Sequence, residues 1–204
     1  MYRFRSVLLC ILLFAGLGFS NSVNASSMGG DFSLTDQHGN PFQLQQLRGK
    51  VVLLFFGYTY CPDICPTELA GVSRVLDALG TQADRVQGLF ITLDPQRDTP
   101  RVLKDYLAYF NPQLIGLTGS PAAIDRVSTQ YRVRYLKQQR PDNSYSLDHS
   151  TNLYIIDPAG ELSTVVPYGL PPEHVLRVVR SMLEASEKPQ GSSIKPDIQL
   201  QNHS

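Results

Sequence analysis

Net charge is the first thing this chain lacks: its 204 residues carry 18 basic and 18 acidic side chains. Without a basic excess there is no surface for a polyanion, so nucleic acid is not an expected partner. It also lacks an apolar run long enough to cross a bilayer. The run from Val7 to Phe19 is about thirteen residues, against the roughly twenty of a spanning helix. No internal repeat is present. Cysteine is scarce, with three residues in all, at positions 10, 61 and 65.

The N-terminus reads as an export signal. Arg3 and Arg5 precede the short apolar run, and Val23-Asn24-Ala25 supplies small residues at the spacing for cleavage before Ser26. Residues 1–25 are therefore expected to leave, Cys10 with them, and retention of residues 7–19 as an anchor is the alternative. Roughly 180 residues remain, enough for one domain with a full core. We expect that domain over 26–185. Residues 186–204, with Pro189, Gly191 and Pro196, have little to bury and are expected to be a flexible tail. The exported chain keeps only Cys61 and Cys65, in a compartment that permits disulfides. A structural disulfide between them would close a tiny loop and constrain the unfolded chain little.

The chain is organised around Val51-Val-Leu-Leu-Phe-Phe-Gly-Tyr-Thr-Tyr-Cys-Pro-Asp-Ile-Cys-Pro66. Val51 to Phe56 is a short, β-branched and aromatic run, the pattern of a strand buried on both faces. Beyond Gly57 come the two cysteines, then Leu69, Val72, Leu76 and Leu79 at helical spacing. Pro66 suits the first helical position. Two thiols thus stand at a helix N-terminus, where thiolates are favoured over thiols.

The rest reads as support. Asp31 to Leu44 alternates about His38-Gly-Asn-Pro41, a hairpin whose turn leaves His38 exposed. Leu44 to Arg48 is a short turn. Arg85–Leu93 and Leu114–Leu117 are further strands, with helices at Arg101–Phe110, capped by Asp98 or Thr99, and from Pro121 at its first position through Tyr131, capped by Ser120. This order implies a parallel sheet covered by helices. Val133–Leu136 and Tyr145–Leu147 can pair around a polar insert. Asp148-His-Ser leads into a strand through Asp157, which turns at Pro158-Ala-Gly160 into an antiparallel neighbour, Glu161–Val166. An amphipathic helix, Pro172–Ala185, closes the domain.

Two thiolates are soft donors that suit Cu(I) and also Zn(II), and one loop holds neither ion well without a third ligand. The candidates are His38, His149, His174 and His203. His203 falls in the tail and His174 on a surface helix. His149 stands directly before a core strand, where packing does not call for imidazole.

Gly57-Tyr-Thr-Tyr-Cys-Pro-Asp-Ile-Cys-Pro66, Ile91-Thr-Leu-Asp-Pro-Gln-Arg-Asp-Thr-Pro100 and Asp148-His-Ser150 resemble the SCO/SenC family. Those are copper-binding, thioredoxin-like proteins of cytochrome c oxidase assembly, and the resemblance runs from the first hairpin to the last helix. It implies a thioredoxin-like α/β fold with an added N-terminal β-hairpin and an insert before the His-bearing loop. It also implies Cys61, Cys65 and His149 as ligands of copper, as Cu(I), Cu(II) or both. Asp63 and Asp148 are candidates for support or weak ligation. Asp94, Arg97 and Asp98 match the family loop, either at copper or as a capped turn with an ion pair.

An ordinary thioredoxin has two residues between its cysteines and a proline before the facing strand. Here there are three, and Ser150-Thr151 replaces the proline, which favours holding a metal over exchanging disulfides. Two functions stay open. One is an exported, periplasmic copper chaperone, monomeric and working near the membrane surface, whose recipient is the copper-bearing subunit of a terminal oxidase. A copper donor or a thiol reductant would serve it. The other is a thiol–disulfide reductase with Cys61 and Cys65 as catalytic residues. A peroxidase has less support, since no arginine marks either thiol as a peroxide site.

Overall fold

The computed structural model describes residues 28–187; the expected export signal over 1–25, Cys10, His203 and nearly all of the expected tail over 186–204 lie outside them. Strand β3, Val51–Gly57, is buried at all seven positions, as a run with no polar side chain must be. It pairs in parallel with β4, Val86–Thr92, and antiparallel with β8, Leu153–Ile156. Those neighbours satisfy its backbone on both edges. Beyond β4 lies the parallel β5, Ile115–Thr118, and beyond β8 the antiparallel β9, Leu162–Val166. The expected hairpin forms as β1, Ser33–Asp36, and β2, Pro41–Gln43, and β1 joins the same sheet through β5. The order is β2-β1-β5-β4-β3-β8-β9, with β3 in the interior.

Alternation along β3 divides the core. Phe55 stacks on Phe90 at 6.2 Å, and Phe90 in turn meets Tyr106 of helix α2, Pro100–Leu107. On the opposite face Phe56 packs on Tyr131 and Tyr154 at 5.7 and 5.6 Å. Tyr131 follows helix α3, Pro121–Gln130. Helix α1, Ile64–Leu79, lies on the Phe90 face, with α4, Pro172–Glu187, against it. At Gly88 in β4 an added Cβ would lie 3.4 Å from Val72 of α1. This is the expected thioredoxin-like α/β arrangement.

Thr99 accepts from the amide of Val102 and Ser120 from that of Ala123, each before a proline at the helix start. Two expectations shift. Helix α1 begins at Ile64, so Pro66 is its third residue instead of its first, and Cys65 lies inside the first turn. Proline is tolerated there because first-turn N–H groups have no intrahelical acceptor. The hairpin expected around the insert forms with other bounds, as β6, Tyr135–Gln139, paired with β7, Tyr145–His149. His149 therefore ends β7, with the three loop residues 150–152 between it and the core strand β8. Backbone pairing of Tyr135 with His149 extends the hairpin to that point.

Candidate metal centre

Strand β3 stops at Gly57, and the chain crosses the end of the sheet to reach α1. Gly57 itself decides where Cys65 can sit. A Cβ there would lie 2.8 Å from the Cys65 sulfur and 2.8 Å from the Phe90 ring. The missing side chain is the space the thiol occupies, and Cys65 is fully buried. Cys61 is half-buried in the connecting loop, its amide donating to the Tyr58 carbonyl at 3.2 Å.

His149 reaches the same point from the end of β7. Its ring stands edge-on to Phe55 and Tyr58, at 6.4 and 5.9 Å between centroids. Nδ1 lies 2.8 Å from the carbonyl oxygen of Ser150. A carbonyl only accepts, so Nδ1 carries the proton and Nε2 presents its lone pair. Nε2 faces the Cys65 sulfur at 3.5 Å. The donor atoms of Cys61, Cys65 and His149 all lie within 4.8 Å of one another. Three such donors bound to one ion at about 2.0–2.3 Å stand roughly 3.5–4 Å apart. Closing the gap needs movement of under about an ångström, so the donor set fits a single soft ion.

The two thiols are unlike. The Cys61 thiol is pulled down to about 3, first by the hydrogen bond from the Cys65 thiol, with the amides of Cys65 and Asp63 adding to it against burial. Cys65 is pushed up, first by that same bond to Cys61 and then by burial. The pair thus holds one proton, on Cys65, which a metal ion must displace.

The loop after β4 clamps this arrangement from both sides. Asp98, fully buried, accepts from the Thr59 amide at 3.0 Å and the Thr59 hydroxyl at 2.6 Å. The Thr92 hydroxyl donates to it at 2.6 Å. It therefore pins the loop two residues before Cys61. Arg97 pairs with Asp94, donates to the Tyr145 carbonyl at 3.0 Å and stacks over the Tyr145 ring at 3.7 Å. Tyr145 in turn donates to Asp94 at 2.9 Å. One side of the loop holds the cysteine segment, and the other holds the hairpin that ends in His149. Of the two readings of this motif, the turn with its ion pair is the one formed; capping of α2 falls to Thr99.

Neither Asp63 nor Asp148 belongs to the donor cluster. Asp63 is exposed at the start of α1, and Asp148, also exposed, accepts from Gln138 at 2.8 Å. His38 is exposed in its turn, and His174 sits on α4 beside Arg177. Thr59, Thr92 and Gly57 were not singled out from sequence. Two threonines and a glycine carry no pattern of their own, and only the proximity of Asp98 and Cys65 gives them a role.

The SCO1/SenC family model matches residues 20–184. A SCO2-like protein of Rickettsia felis is 43% identical over 136 residues, 66% of this chain and 66% of that protein. The mitochondrial protein SCO2 of Saccharomyces cerevisiae is 38% identical over 162 residues, 78% of this chain and 54% of that one. The chain thus spans between about half and two thirds of the length of these curated relatives. Among solved structures, ScoI of Bradyrhizobium japonicum with copper bound is 43% identical with a TM-score of 0.72. The match covers 76% of this chain and 99% of that one.

Proposed function

The chain belongs to the SCO1/SenC family, and from that premise we propose that it is a copper chaperone that carries one copper ion on Cys61, Cys65 and His149. The observation that carries this reading is the convergence of two thiols and an Nε2 lone pair within 4.8 Å. Copper is cargo here, held by soft thiolates and an imidazole. A relative at 43% identity binds copper in its solved structure. Binding takes the proton from Cys65, and the half-exposed side of the site at Cys61 and His149 gives an acceptor its way in. Release proceeds by exchange of these ligands for those of the acceptor. Oxidation of the two thiols to a disulfide would remove both soft ligands, so copper loading and redox state are linked.

The recipient we propose is the copper-bearing subunit of a terminal oxidase. The proposed setting is the periplasm, reached through the signal in residues 1–25, with the domain over 26–185 and a flexible tail behind it. Among the described residues no helix is long and apolar enough to cross a membrane.

A thiol–disulfide reductase is the second reading, and the unequal thiols favour it. Cys61, ionised and half-exposed, would attack, while buried Cys65 would keep its proton until the mixed disulfide resolves. His149→Ala separates the two. With copper supplied anaerobically and loose metal removed by a chelator, this variant should keep Cu(I) on two thiolates. It should lose Cu(II), which prefers a mixed nitrogen and sulfur set. Reductase activity would survive the change. Retention of Cu(II) at parental strength, with the same thiolate-to-copper absorption, would remove His149 as a ligand and put the reductase first.

A further inference from the structure

Beside the metal centre runs a cleft of about 210 Å³ that the copper reading leaves unused. One wall is α1, from Thr67 to Val75, the other residues 168–171 with Pro172 and Val175 of α4, and Leu153 also lines it. The cleft begins at Thr67, two residues beyond Cys65, and borders the strand that follows His149. Tyr168 and Leu170, which line it, stay 40% and 43% exposed and offer apolar surface to an occupant.

Its charge pattern is bipolar. Glu68 points into this mostly apolar cleft, half-buried, and among the described residues no hydrogen bond or ion pair reaches its carboxylate. Burial alone pushes its carboxyl up. A desolvated carboxylate without a partner is costly, and a cation arriving from outside would offset that cost. Arg74, exposed and with no ion pair among the described residues, also lines the cleft. Six residues of helix separate the two, about 9 Å at 1.5 Å each, which is roughly three residues of extended chain.

We propose that this cleft docks an extended segment of a partner polypeptide. The segment carries a basic residue at the Glu68 end, an acidic residue about three positions away at Arg74, and an apolar side chain between them against Tyr168 and Leu170. This rests on the chaperone reading in that it supplies the surface by which a partner aligns its ligands with Cys61 and His149. Gly71 sets the width: a Cβ there would meet Pro172 at 3.8 Å, so alanine fits and a larger side chain fills the cleft.

The probes are two synthetic peptides, acetyl-Gly-Lys-Phe-Ala-Glu-Gly-amide and its charge-swapped form with Glu first and Lys last. Binding to the full chain, reduced and metal-free, is followed by NMR shifts of the α1 amides. The first peptide should bind about tenfold tighter than the second. Glu68→Gln should erase most of that preference, and Glu68→Lys with Arg74→Glu should reverse it. Gly71→Leu should abolish binding of both. Copper stoichiometry, measured separately, should stay at the parental value in all three variants. A chain that binds no copper yet sorts the peptides would defeat the chaperone reading and leave the docking surface standing. Equal binding of the two peptides, or binding untouched by Gly71→Leu, would overturn the proposal. So would tighter peptide binding after Lys195→Ala and Asp197→Ala, which would assign the cleft to the chain's own C-terminal segment.

Discussion

Adding one methyl group at Gly57 should damage the metal centre more than the fold. The Cβ of Gly57→Ala would lie 2.8 Å from the Cys65 sulfur, 2.8 Å from the Phe90 ring and 3.2 Å from the Phe55 ring. All three neighbours are fully buried, so none can swing into solvent. Restoring ordinary contact moves the sulfur by about 0.6–1 Å. Overpacking of this kind costs about 1–3 kcal/mol of stability. The sulfur is also a proposed ligand, and disturbing the groups that orient a ligand weakens metal affinity by about 10- to 100-fold. Gly116→Ala is the control. Its Cβ would meet Leu107 at 2.7 Å and Leu103 at 3.1 Å, a comparable clash against α2 with none of the donor atoms near it. Urea unfolding should show similar losses for both variants, and competition with a Cu(I) chelator should show a loss for Gly57→Ala alone. Equal copper affinity in the two would refute the idea that Gly57 sets the position of Cys65.

Two further outcomes follow from the groups around the thiols. Asp98→Ala strands the Thr59 amide and two hydroxyls that it now satisfies, and should cost roughly 2–4 kcal/mol in urea unfolding. Asp98→Asn, which keeps one accepting oxygen, should lose less, and equal losses would mean that the carboxylate is not what pins Thr59. Because the Cys61 thiol is pulled down to about 3, its alkylation by iodoacetamide in the reduced, metal-free protein should be nearly independent of pH from about 5 to 8. Cys65 should remain unlabelled over that range, and a tenfold rise per pH unit at Cys61 would refute the shared-proton arrangement.

Strand β3, the helix behind the cysteines and the caps at Thr99 and Ser120 were legible because each is a local pattern: a run, a spacing, a residue before a proline. Cys61, Cys65 and His149 were legible as candidates for a different reason, since the motifs that carry them resemble those of a copper-binding family. The boundaries that moved did so for local reasons too. Proline does not discriminate among first-turn positions, and a pairing of Tyr135 with His149 leaves no mark in a polar stretch. Gly57, Thr59, Thr92 and Glu68 were illegible because their roles exist only where two distant segments meet. The loop Asp94–Asp98 shows what such meetings accomplish. It touches none of the donor atoms, yet Asp98 fixes the cysteine segment and Arg97 fixes the hairpin that carries the histidine. A sequence separation of 84 between Cys65 and His149 could not by itself set a 3.5 Å approach. A short, charge-paired loop with buried carboxylates at both ends, gripping both segments, can, and so the motif that looks remote from the metal sets the distance across it.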